Sequence, residues 1–390
     1  MSQTVGLGVR GAESVFPKEE YDARIAAARK RLAALGIDAL VLTGPENIYY
    51  LTGQQTPGYY TFQCLILPTE EEPLFLLRQL ELINFLRNTF ISRYEVYQDN
   101  GKPAEIVVAA LERMELKGKH IAIEKRGWFL PIEFYELLTE RLGGVAEGSG
   151  IVEPLRMVKS PLEIKMLEEA ARITDAGMRA GLAAIRPGAT ENDLVAAMMG
   201  AAIQAGSEYM GMEPLVSSGP RSGVPHATWR RRQLAAGDPV FLEMAGCYNR
   251  YHAGLLRTAW LGKPPKQALE MVKIAEEALQ AALAVMRPGV SCEVVHNAAQ
   301  AVIDRYGMTE RYRKRTGYST GISFAPDWGE WMVLSLFTGI KEPLQPGMAF
   351  HLPVALREYE VFTVGASETA VVTETGCRTL GTIKRGLWEI

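Results

Sequence analysis

The sequence has no apolar run approaching the roughly 18 residues of a membrane span, and residues 1–16 offer neither the basic start nor the apolar core of an export signal. A membrane protein is therefore not expected, and a cytoplasmic one is. Blocks of like charge are also missing: 42 Lys and Arg against 45 Asp and Glu give a net charge of -3, which draws neither a polyanion nor an anionic membrane. Nucleic acid is not an expected partner. Cysteine is sparse. Cys64, Cys247, Cys292 and Cys377 lie too far apart for a zinc cluster and are too few for a disulfide framework, so they are expected to be reduced and structural. What remains is ordinary globular material, 47% hydrophobic and 22% charged over 390 residues, enough for two or three domains.

Strand and helix alternate through the N-terminal part. Pro17 followed by Lys18, Glu19 and Glu20 opens an amphipathic helix predicted to run to Leu35 and stop at Gly36. A buried strand over 39–42, a helix over 104–115, a strand over 120–124 and a helix over 131–142 follow, which together predict a small α/β domain with a mixed or parallel sheet. Tyr49, Tyr50, Tyr59, Tyr60 and Phe62 make a dense aromatic group that packing explains. Lys159, Ser160 and Pro161 mark a hinge, giving domains over 1–158 and 159–390.

The second domain opens with a helix predicted to exceed twenty residues from Pro161, carrying Leu167, Ala171, Met178, Leu182 and Ile185 on one face. It also contains a repeat. Residues 182–195, LAAIRPGATENDLV, return 101 residues later as LAVMRPGVSCEVV, and Gly206 and Gly307 keep the same offset. Each copy reads as helix, Arg-Pro-Gly break, Thr190 or Ser291 cap, and second helix. Two αα units related by a pseudo-two-fold follow, with a sheet and a cleft between them.

Residues 238–262 read as two apolar strands joined by a tight turn near Gly246. Glu243 lies inside the first strand, and Arg250, Tyr251, His252 and Arg257 follow on the second. An ionisable group on a buried strand needs a partner, so Glu243 is either half of a salt bridge or part of a site. A glycine-rich loop covers 316–331, and three strand-like runs over 348–355, 359–364 and 368–373 close the chain, with Glu368 at the entrance of the last. His120 and His296, on a strand and a helix, read as structural.

In order and spacing, Lys159-Ser160-Pro161, the Arg-Pro-Gly helices, Ser218-Gly219 with Pro225-His226, Arg257-Thr258 and Gly347-Met348 resemble the pita-bread family of creatinase, prolidase, aminopeptidase P and methionine aminopeptidase. The resemblance implies an α/β N-terminal domain and an α+β pita-bread C-terminal domain. The peptidases of that family hold two metal ions with Asp, Asp, His, Glu and Glu. Carried over, those positions fall on Glu243, Gly254, Tyr318, Pro353 and Glu368, and three of them offer no donor suited to a pair of hard cations. No metal and no other cofactor is expected. His226 stands where the family keeps a histidine beside the substrate.

The Arg250-Tyr251-His252 tripeptide, the stretch containing Tyr318, Asp327 and Trp328, and Phe350-His351 resemble the metal-free, ectoine-hydrolysing branch of that family. That branch cleaves C–N bonds of small amidines, and a planar amidinium would neutralise carboxylates left without metal. By this resemblance Glu243 and Glu368 hold the amidinium and His226 serves as base and then acid. Tyr251, His252, Tyr318 and His351 shape or polarise the pocket, Arg257 meets an anionic group on the substrate, and Tyr60 reaches substrate across a homodimer interface. The alternatives are a creatinase-like guanidine hydrolase, a metal-dependent Xaa-Pro peptidase and a non-catalytic binding module.

Overall fold

Six strands and five helices build the first part of the chain in a computed structural model that describes residues 10–312, 314–330 and 332–390. Residues 1–9, which belong to the stretch lacking an export signal, and Trp331 lie outside the described residues. Contacts divide the chain into two units, Met1–Arg156 and Met157–Ile390.

In the first unit the helices are α1 (Lys18–Ala34), α2 (Pro45–Thr52), α3 (Leu82–Asn88), α4 (Pro103–Arg113) and α5 (Ile132–Leu142). The strands are β1 (Ala39–Leu42), β2 (Cys64–Pro68), β3 (Leu74–Arg78), β4 (Arg93–Tyr97), β5 (Ile121–Ile123) and β6 (Ala146–Glu147). They pair in the order β4-β3-β2-β1-β5-β6, with β1 antiparallel to β2 and parallel to β5, so the sheet is mixed. Val107, Leu111, Phe134 and Leu138 from α4 and α5 pack on Val41, Ile66 and Ile123 of the sheet. A short helix, α6 (Glu153–Met157), runs over the division.

The second unit contains α7 (Pro161–Ala184), α8 (Glu191–Gln204), β7 (Leu215–Ser218), β8 (Pro239–Tyr248), β9 (Tyr251–Trp260), α9 (Lys266–Val285) and α10 (Cys292–Arg305). It continues with β10 (Gly317–Ser319), β11 (Ser335–Leu336), β12 (Ala349–Glu358), β13 (Phe362–Val372), β14 (Cys377–Thr379) and β15 (Leu387–Glu389). Two sheets form, β11-β10-β12-β13-β14 and β15-β9-β8-β7. Hydrogen bonds from Leu256 to Ser367 and from Thr369 to the Gly254 carbonyl join β9 to β13. The helix pairs cover the same side of these sheets. Leu182, Leu194 and Met198 of α7 and α8 pack on Leu242 and Met244, while Met271, Leu279 and Val295 of α9 and α10 pack on Leu352 and Val354.

The repeat is real in three dimensions. Gly188 and Gly289 take φ of +82° and +83°, a region that favours glycine, and their amides donate to the Leu234 and Leu344 carbonyls. The amides of Glu191 and Cys292 likewise donate to the carbonyls of Arg232 and Glu342. One detail departs from expectation. Thr190 closes a capping box with Asp193, whereas the Ser291 side chain caps nothing: the residue three positions on is Val294, and Glu293 is drawn instead to Gly339 and Lys341.

The hairpin turn is at Asn249 and Arg250, not Gly246. Both turn residues have positive φ, Tyr248 pairs with Tyr251, and a two-residue loop of this kind matches the twist of its strands. Gly246 lies inside β8, where a Cβ would come within 2.6 Å of Ile173 and 3.0 Å of the Thr174 amide, so glycine there admits α7. The last two strand-like runs are one strand, β13, and Glu368 lies in its middle.

Candidate active site

Strand alternation decides which side chains reach the face away from the helices. Leu242 and Met244 belong to the helix-covered core, so Glu243 between them points to the opposite face, where it is 8% exposed. Phe241, Ala245, Leu256 and Ala355 share that face in a separate small cluster. Arg357 and Thr363 are register partners on β12 and β13 with the same parity as Ala355. Together with His226, these two and Glu243 line one narrow cleft.

Among the described residues no hydrogen bond reaches the Glu243 carboxylate, the Lys314 ammonium or the Arg357 guanidinium, and Arg357 Nε is buried without a partner. Burial pushes the Glu243 pKa up, and the charges of Lys314 and then Arg357 pull it back. Burial lowers Lys314, with Arg357 adding to the fall and Glu243 opposing it. Each charge is thus sustained by the opposite charge nearby and by no hydrogen bond, a costly arrangement unless a polar ligand completes it.

His226 follows Pro225 and adopts φ +54°, a left-handed backbone that few residues other than glycine take and that clusters at functional sites. It is exposed at the mouth of the cleft. Loss of water around the ring, then the charges of Arg357 and Lys314, lower its pKa from 6.5, while Asp327 opposes the shift. The imidazole is therefore neutral at neutral pH, as a general base must be.

Several expected site residues are occupied elsewhere. Tyr251 is fully buried and donates to Glu163 on the first turn of α7 at 2.8 Å. His252 accepts the Gly211 amide at Nε2, 2.9 Å, and its Nδ1 donates to the Arg250 carbonyl at 3.0 Å, so it holds a loop and burial keeps it neutral. Arg257 is fully buried and donates to the Leu256, Ser367, Ile383 and Lys384 carbonyls as well as to Glu368 at 2.9 Å. Glu368 accepts from Arg257 and Arg385, 2.9 Å each. Its register partner Leu352 lies in the helix-covered core, so Glu368 also points there, away from the cleft. Ser367 faces the cleft side in its stead: the inferred ligand position is displaced by one residue, and in a strand one residue changes the face. Tyr60 stands in the first unit at the end of a short 3-10 turn and is 76% exposed.

Tyr318 and His351 form a fixed polar chain beneath Glu243. Trp328 Nε1 donates to Tyr318 Oη at 2.9 Å, Tyr318 donates to His351 Nδ1 at 2.9 Å, and His351 Nε2 donates to Ser367 Oγ at 2.7 Å. This assigns the Nε2–H tautomer, because the phenol proton has no other acceptor once Oη has taken the indole N–H. Burial first, then Lys314 and Arg257, hold the His351 pKa down at about 3. Beside this chain, Lys159 and Glu330 make a buried ion pair at 2.8 Å that fixes the loop carrying Asp327 and Trp328.

Residues 165–374 match the family described as metallopeptidase family M24, and residues 24–158 match the creatinase/prolidase N-terminal domain. The ectoine hydrolase of Halomonas elongata is 31% identical over 96% of this chain and 98% of that protein. An uncharacterized hydrolase/peptidase of Sinorhizobium fredii is 32% identical, again over 96% and 98%. The crystal structure of dipeptidase PepE from Mycobacterium ulcerans superposes with a TM-score of 0.83 at 26% identity, covering 96% of this chain and 99% of that one.

A metallopeptidase relative raises the question of whether a metal pair fits here, and the donor set does not suit it. Glu243 is the one free carboxylate among the five positions. A Cβ at Gly254 would lie 2.7 Å from the His351 ring, so His351 fills the space a carboxylate there would need. Tyr318 is committed to His351 and Trp328, Pro353 has no donor, and Ser367 is committed to His351 and the Leu256 amide. Among the described residues no three His, Cys, Asp or Glu gather as a metal site. Gly254→Ala is accordingly expected to destabilise the protein by about 1–3 kcal/mol through overpacking against a ring pinned at both nitrogens. A lower urea midpoint with unchanged slope supports this; an unchanged midpoint would show that the ring moves aside.

Proposed function

From the premise that this chain belongs to metallopeptidase family M24, with a creatinase/prolidase N-terminal domain, we propose that it is a metal-independent hydrolase that opens a small cyclic amidine, ectoine or a close analogue. The observation that carries the reading is Glu243: a buried carboxylate with no hydrogen-bond donor among the described residues, beside a neutral histidine, where the metal-ligand positions have lost their donors. An amidinium presents a delocalised charge and paired N–H donors, which match a carboxylate bidentately. The similarity to the Halomonas elongata ectoine hydrolase supports the same class of substrate. The reading extends to a cytoplasmic homodimer, in keeping with four free cysteines. No helix among the described residues is long and apolar enough to cross a membrane.

In this mechanism Glu243 holds the amidinium and keeps its carbon electrophilic. Neutral His226 takes a proton from water as the water oxygen bonds to that carbon. The imidazolium then returns the proton to one ring nitrogen and the C–N bond breaks as the hydroxyl proton of the tetrahedral intermediate passes to the freed amine, so an amide and an ammonium group result and the positive charge of the amidinium leaves on the ammonium. Tyr318 and His351 shape the floor of the site. Glu368 and Arg257 hold β9 to β13 behind it.

The test is a proton NMR time course with ectoine and with creatine in separate tubes. Loss of the ectoine ring signals and growth of an acetyl resonance is the expected result; turnover of creatine alone would replace the amidine reading with a guanidine one. The pH profile follows from His226. Its pKa is lowered from 6.5, so the base is fully available above 6.5 and is lost as pH falls through the lowered value. The acid limb of kcat, measured with bound amidinium holding Glu243 ionised, should therefore have its midpoint below 6.5. His226→Ala should lose roughly 10²–10⁴-fold in kcat while keeping its near-UV spectrum. Retention of turnover by that variant removes His226 from the mechanism.

A further inference from the structure

We propose that the end of the cleft formed by β12 and β13 is a carboxylate-binding subsite built from Arg357 and Thr363, so that the substrate is a zwitterion held by its cation at Glu243 and by its anion at this pair. The inference rests on the reading of the cleft as a substrate site and adds the charge pattern that the substrate must carry.

Two independent orphans point to it. Among the described residues, Arg357 Nε is buried without a hydrogen-bond partner, and so is the Thr363 hydroxyl, whose residue is 1% exposed. The two residues are direct register partners, and both line the cleft that His226 and Glu243 share. Buried donors without acceptors are uncommon in folded proteins and each costs free energy, so a guanidinium and a hydroxyl orphaned side by side imply an acceptor that the protein itself does not provide. Glu243 does not fill that role: it interacts with Arg357 through its charge but makes no ion pair with it.

The acceptor must be anionic and planar to use a guanidinium well, which describes a carboxylate. Arg257, the arginine first expected to do this, is saturated by four carbonyls and Glu368 and faces the helices. Arg357 sits on the cleft face because it lies four residues, two full pleats, beyond Pro353. A ligand bearing an amidinium at one end and a carboxylate at the other completes Glu243, Arg357 and Thr363 at once. A ring without the carboxylate leaves the guanidinium and the hydroxyl unpaired.

The experiment compares kcat/KM for ectoine with that for the same tetrahydropyrimidine ring lacking its carboxylate, in the wild type, Arg357→Met, Arg357→Lys and Thr363→Val. A charged hydrogen-bonded contact of this kind discriminates by roughly 10–150-fold. The expected result is a wild-type preference for the zwitterion of about that size, collapsing toward unity in R357M, partly kept in R357K and reduced several-fold in T363V. An unchanged preference in R357M or in T363V overturns the assignment. Should neither ring be turned over by any form, the amidine reading fails by itself, and the subsite is read by thermal shift with butyrate. Protection of the wild type that R357M and T363V lack supports the subsite. Equal protection, or none in the wild type, contradicts it.

Discussion

Glu243→Gln is expected to lower kcat/KM for a cyclic amidine by about 100-fold while leaving the fold intact. The glutamine keeps the volume and one acceptor oxygen but loses the charge that pairs with the amidinium, and a hydrogen bond to a charged group contributes roughly 1.5–3 kcal/mol, or 10–150-fold. Stability should not fall. The carboxylate makes no hydrogen bond among the described residues, so none is broken, and its pKa is raised by burial, so folding gains nothing from ionising it. The same pKa direction fixes the pH behaviour. A carboxylate whose folded pKa lies above its unfolded value contributes stability that is present at low pH and lost as pH rises through the folded value. Removing that dependence by E243Q should flatten the stability of the protein as pH rises above 4.5. An E243Q enzyme within about three-fold of wild type, measured under subsaturating substrate, would remove Glu243 from substrate binding.

Glu368→Ala is expected to act in the opposite sense, through stability and not through the substrate. Its carboxylate accepts from Arg257 and Arg385 on the helix side of the sheet, with Arg257 wholly enclosed. Removing one member of a buried pair strands the other, which costs about 3–5 kcal/mol. The variant should unfold at a distinctly lower urea concentration, and the fraction that remains folded should keep a wild-type KM. A raised KM with an unchanged urea midpoint would return Glu368 to the substrate and contradict the assignment of strand faces.

The contrast between these two glutamates shows what the sequence can and cannot disclose. A single carboxylate in the apolar run around Glu243 is conspicuous, and its isolation is plain from the neighbouring residue types alone. Glu368 reads the same way, but whether a strand residue faces a cleft or a core depends on register. Register is set by pairing with β12, and a slip of one residue inverts the answer. The repeated Arg-Pro-Gly breaks are legible for a similar reason as Glu243: glycine at φ near +80° is required in both copies, and the chemistry of the break is local.

Arg357 and Lys314 are not legible. Arg357 falls in the gap between the strand-like runs over 348–355 and 359–364, and nothing local says that the strand carries it inward. Lys314 belongs to a basic run over 311–315 that resembles a solvated face, yet burial beside Arg357 lowers its pKa. Alternation counted from Pro353 places Arg357 on the cleft side only once the length of the strand is fixed. The hairpin turn falls elsewhere than expected because glycine signals both a turn and a close approach, and at Gly246 it is the second.

Turnover by metal-stripped protein tests the central claim most directly. The enzyme is dialysed against EDTA, its residual manganese, zinc and iron are measured, and ectoine hydrolysis is followed by NMR with and without added manganese. Full activity at far less than one metal per chain, unaffected by manganese, is the predicted result. Silence without metal, with activity restored by manganese, would contradict it and return Gly254, Tyr318 and Pro353 to the question of how this chain holds a cation.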